Sequence, residues 1–81
     1  MYLQEQTAAD VRAGDRIRLH QWEASSSLAR SRSSTWNGHP AVVLTLEQSL
    51  LHPLTGRPYT QTWEVFCDPG DPLWTVHDAT P

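Results

Sequence analysis

The chain has 81 residues, with six Arg, no Lys, nine Asp plus Glu, four His and one Cys, and a formal net charge of −3 at pH 7. One small domain spanning residues 1–81 is expected, burying roughly 60% of the surface its unfolded chain would expose, which argues against a deep substrate cleft with walls of its own. The lone Cys67 excludes an internal disulfide framework and favours a reducing, cytoplasmic setting. No run approaches the roughly 18 apolar residues of a membrane span, and Met1 to Ala8 lacks the basic, apolar and small-residue succession of a signal peptide, so no membrane contact is expected.

Along the chain, Thr7-Ala8-Ala9-Asp10 places a hydroxyl to cap a short helical turn, with Asp10 at the third following position where its carboxylate reaches back. Gly14 then supplies a turn with positive φ, and Arg16 to His20 alternates polar and apolar, which predicts a half-buried strand with Ile17 and Leu19 inward. Trp22 falls on the opposite parity from Leu19, and a bulge near Gln21 would restore it. Residues 25–35 hold six Ser, one Thr and two Arg around a single large apolar residue. That composition buries too little to repay its ordering, and it predicts a mobile loop.

Trp36-Asn37-Gly38-His39-Pro40 is turn chemistry, Asn-Gly being the strongest dipeptide signal for a tight turn. Ala41 to Glu47 predicts the best strand of the chain, with Val42, Leu44 and Leu46 on one face and Val43, Thr45 and Glu47 on the other. Gln48 to His52 extends that strand or begins a loop. Pro53 to Pro58 marks a second turn, and the strand Tyr59 to Cys67 follows with Trp63, Val65 and Cys67 sharing a face. Asp68-Pro69-Gly70-Asp71-Pro72 punctuates again, Leu73 to His77 is a short closing strand, and Ala79 to Pro81 should fray. The strand count and spacing predict an all-β fold, a small antiparallel barrel of about five strands with a long Ser/Arg-rich loop after the first, closure protecting the strand edges.

The stretch Ala9 to Leu19, Ala-Asp-Val-Arg-Ala-Gly-Asp-Arg-Ile-Arg-Leu, resembles the opening of small SH3-like barrel proteins of actinobacteria and their phages. In those proteins such a turn leads into the first barrel strand, followed by a valine-rich strand, a hairpin and a short final strand. Ala41-Val42-Val43-Leu44, Leu54-Thr55-Gly56-Arg57 and Pro72-Leu73-Trp74 come in a compatible order, and the Ser-rich insertion after the first strand departs from the pattern. The resemblance implies an SH3-like fold, a fold that hosts unrelated activities. The use of Arg to the exclusion of Lys points to the same high-GC source.

Chemistry-bearing patterns are sparse. His20, His39, His52 and His77 include no local chelating pair, and Cys67 reads as a small apolar residue on the inward face of the Trp63 strand. No Ser sits in a nucleophile elbow, and Asp68, Asp71 and Asp78, separated by Pro69 and Pro72, read as turn caps rather than a calcium site. No catalytic residue, metal or cofactor is expected. Charge, in contrast, is polarised: residues 1–36 carry five Arg against four acids, residues 37–81 one Arg against five. Trp and Arg are the residue types most enriched at interface hot spots. The expected function is therefore a non-enzymatic module that binds a protein partner, with Trp22, Trp36, Trp74, Arg16, Arg18, Arg30 and Arg32 as the candidate surface. The alternative is a nucleic-acid binder using Arg16, Arg18, Arg30 and Arg32, against which stands an isoelectric point of about 5.7.

Overall fold

The computed structural model describes residues 1–77; Asp78 and the Ala79 to Pro81 end, expected to fray, lie outside the described residues. Six strands succeed one another: β1 (Tyr2–Thr7), β2 (Arg16–Arg18), β3 (Ser26–Trp36), β4 (His39–Leu51), β5 (Pro58–Cys67) and β6 (Pro72–His77). They make one antiparallel sheet in the order β1-β6-β2-β3-β4-β5. The fold is all-β, but the sheet does not close into the expected barrel. The free side of β6 is taken by β1, paired from Tyr2 opposite His77 to Thr7 opposite Pro72, so that strand edge is covered without closure.

The largest departure is β3. The Ser/Arg-rich segment expected as a loop is an eleven-residue strand, in which Leu28 alone is fully buried. Its order comes from its partner. Asn37 and Gly38 both take positive φ, 51° and 80°, the two-residue turn whose twist matches that of the flanking strands, and it delivers β3 onto β4 from Trp36 opposite His39 to Ser27 opposite Glu47. A bulge between Leu28 and Arg30 absorbs one residue. No bulge forms at Gln21. β2 ends at Arg18, and the chain turns where Glu23 donates its N–H to the His20 carbonyl at 3.1 Å, leaving Trp22 on the turn. The expected helical turn at Thr7 is a plain turn in which the Thr7 hydroxyl donates to Asp10 Oδ2 at 2.9 Å.

The inner face of the sheet carries the core. Ile17, Leu28, Val42, Leu44, Leu46 and Leu73 are buried there, joined by Ala8 and Val11 from the β1–β2 connection, with Leu19, Trp63, Val65 and Cys67 packed around them. Two bonds hold that connection over the β5–β6 loop, Ala8 N–H to the Asp71 carbonyl at 2.9 Å and Ala9 N–H to the Pro69 carbonyl at 3.0 Å. Thr75, the single buried polar side chain among the described residues, accepts from Gln6 Nε2 at 3.1 Å and lies 2.8 Å from His77 Nε2. β4 outruns β3, so Gln48 to Gln61 form a two-stranded arm that carries Leu51, Leu54 and Tyr59 exposed. Among the described residues no helix is long and apolar enough to cross a membrane.

Two substitutions separate packing from backbone conformation. Leu44→Ala is expected to lower the unfolding free energy by about 2–5 kcal/mol through lost contacts and a residual cavity. Gly38→Ala meets no neighbouring atom but must hold φ at 80°, and it is expected to cost about 1–2 kcal/mol with the sheet intact. Urea denaturation followed by tryptophan fluorescence measures both.

Candidate functional site

Directly opposed residues of an antiparallel pair share a face, so the register sorts the candidate surface without further assumption. Arg16 lies opposite Ser27, which lies opposite Glu47; Arg30 lies opposite Thr45, Arg32 opposite Val43, and Arg18 opposite Trp74. Arg16, Arg18, Arg30, Arg32, Trp36 and Trp74 therefore occupy the outer face together. Trp22 does not join them: it stands on the β2–β3 turn, 82% exposed, stacked on the His20 ring at 4.9 Å.

The same face carries carboxylates. Glu5 is opposite Trp74, Glu47 opposite Ser27, and Glu64 opposite Thr45. Arg32 reaches Glu64 at 3.4 Å across β4, both half-exposed, a contact worth at most about 1 kcal/mol in water. Arg18 is turned back on its own loop, Nε donating to Ser25 Oγ at 3.1 Å and a terminal nitrogen to the Gln21 carbonyl at 3.0 Å. Arg16 and Arg30 make no ion pair among the described residues.

At the hairpin end of this face, Trp36 and Phe66 meet with ring centroids 5.3 Å apart and planes tilted by 59°, while remaining 60% and 48% exposed. Beneath and beside them a notch of about 320 Å³ is lined by Ala41, Cys67, Asp68 and Asp71. Asp71 acts as the expected turn cap, its Oδ2 accepting the Asp68 N–H at 2.9 Å. Phe66 is the residue the sequence reading passed over, although its signal was present: once Trp63, Val65 and Cys67 point inward, alternation turns Phe66 outward. Trp74, placed in the candidate surface, is only partly exposed beside Arg18.

Among the described residues no group of three or more His, Cys, Asp or Glu side chains is assembled in a way that would hold a metal ion. Burial, reinforced by Asp71 and then Asp68, pushes the Cys67 thiol above its ordinary value. The fold thus favours the neutral thiol. Its contribution to stability is complete below the ordinary thiol pKa and is lost as pH rises through the raised one. Alkylation of Cys67 by iodoacetamide at about pH 8 should be slower than that of a free cysteine, and Asp71→Asn should speed it. A rate equal to the free thiol at every pH contradicts this environment.

Comparison with known proteins finds no family model that matches the sequence, and no match among curated proteins or solved structures.

Proposed function

We propose that this protein is a non-enzymatic binding module that engages a protein partner through the outer face of its sheet, with Trp36 and Phe66 as anchors. The observation that carries the reading is the aromatic pair itself, two large rings from β3 and β5 that meet across β4 and are left open to water. Aromatic anchors on a rigid ladder lose little conformational freedom on binding and dominate interface energetics. The Arg32–Glu64 pair beside them supplies a polar rim. Guanidinium and carboxylate groups interleaved on one face suit the mixed charge of a protein surface.

The pairing of β2 with β6, first and last of the five strands β2 to β6, supports reading those strands as an SH3-like sheet to which β1 is added. In that reading the protein is an accessory or assembly component of a phage or actinobacterial system. The gathering of Arg16, Arg18, Arg30 and Arg32 on the outer face favours nucleic-acid binding as a second reading. Glu5, Glu47 and Glu64 on that face, and the acidic isoelectric point, weigh against it.

Because both rings are half-exposed, Trp36→Ala with Phe66→Ala should leave the sheet folded by circular dichroism, at a cost of no more than about 1.5 kcal/mol for the lost ring pair. Affinity capture from a lysate of the source cells should lose its protein partner with the double variant. Identical capture by wild type and variant overturns the reading. Titration with labelled DNA and RNA at low and moderate salt addresses the second reading, since a salt-dependent affinity that disappears with Arg16→Ala and Arg30→Ala would move the function to nucleic acid.

A further inference from the structure

β5 is an outermost strand of the sheet and ten residues long. A strand in that position leaves alternate backbone N–H and C=O groups without a ladder partner. The preceding turn identifies them. His52 donates its N–H to the Arg57 carbonyl at 2.9 Å, in the same register as Leu51 opposite Pro58. Opposed residues alternate between exchanging both bonds and exchanging none. Tyr59, Gln61, Trp63, Val65 and Cys67 therefore bond to β4, and Thr60, Thr62, Glu64 and Phe66 turn their backbone groups outward.

Little blunts this edge. Pro58 stands at its first position, Glu64 is its single charge, and its register with β4 is unbroken by a bulge. Alongside its far end an open cleft of about 380 Å³ separates Val65, Phe66 and Cys67 from Leu19, His20 and Trp74.

Charge along the edge is self-complementary. Arg57, the only Arg after residue 36, precedes the strand, and Asp68 and Asp71 follow it. A second β5 laid antiparallel with a two-fold axis at Trp63 sets Thr62 against Glu64 and Thr60 against Phe66, all four with outward backbone groups. It also sets Arg57 of each copy opposite Pro69 of the other, beside Asp68 and Asp71. Moving the axis to Glu64 would oppose two carboxylates, and moving it to Thr62 would draw Arg57 back to face Cys67. Each contact occurs twice, so the assembly closes as a dimer.

We infer that the protein pairs with a second copy of itself along β5, joining two six-stranded sheets into one, with Arg57 of each copy meeting Asp68 and Asp71 of the other. This rests on the backbone of the β5 edge and on the charges that flank it, not on the Trp36 and Phe66 rings, and although Phe66 belongs to both surfaces, partner capture and self-association are separate readouts. Sedimentation equilibrium of the full chain across a wide concentration range should show a monomer–dimer equilibrium that weakens with salt. Thr62→Pro removes an outward N–H without touching a bond to β4 and should leave a folded monomer. Arg57→Asp should weaken the dimer by about tenfold or more, and adding Asp68→Arg and Asp71→Arg should restore it. If Thr62→Pro unfolds, the charge exchange in the exposed turns decides the matter. A monomer at every concentration, a dimer indifferent to these changes, or an open-ended series of larger species each overturns the inference.

Discussion

β4 is buried on both of its faces. Val42, Leu44 and Leu46 are covered on the inner side, Ala41 and Val43 on the outer, and the strand is paired from Val42 to Leu51 by β5 and from His39 to Glu47 by β3. A strand in that position must satisfy its backbone through both neighbours, because no water reaches its central residues. That requirement orders β3, whose own side chains could not have ordered it. It also fixes which Arg, Trp and Phe residues emerge together on the outer face, since every candidate residue on β3 and β5 takes its orientation from its opposite number on β4. With so small a core, the stability of the whole sheet rests on a few aliphatic contacts around Leu44 and Leu46.

The sheet stays open because the two ends of its order meet different needs. At one end β1 covers β6 and leaves a short outer strand; at the other, β5 presents a long one. An open sheet offers both a face and an edge to partners, whereas a closed barrel offers faces and loops. The aromatic pair lies on the face, and the unpaired backbone of β5 on the edge. Both are near the β5–β6 loop, where burial, reinforced by the negative charge of Asp71 and Asp68, pushes the Cys67 thiol towards its neutral form.

Much of the element pattern was legible in the residues. The Asn37-Gly38 turn, the alternation of Val42, Leu44 and Leu46, and the shared inward face of Trp63, Val65 and Cys67 each follow from a local rule and hold in the structure. β3 was not legible, because a Ser/Thr-rich segment has the composition of a loop and becomes a strand only when a hairpin turn presents it to a hydrophobic partner. β1 gave no local signal for the same reason: its Gln, Glu and Thr side chains acquire their place by pairing with β6. Of the candidate surface, Trp36 and the four Arg share one face, while Trp22 is isolated on a turn. Phe66 emerges from the alternation of β5.

By itself, then, the sequence determined an all-β chain, its turn positions, the inward residues of its two best strands and the polarity of its charge, because each depends on neighbours a few positions away. Only the tertiary structure decided that the Ser/Arg segment is a strand, that the sheet is open, and that Arg16, Arg18, Arg30, Arg32, Trp36 and Phe66 form one face. Those outcomes depend on strand order and register, which arise from pairings between residues distant along the chain.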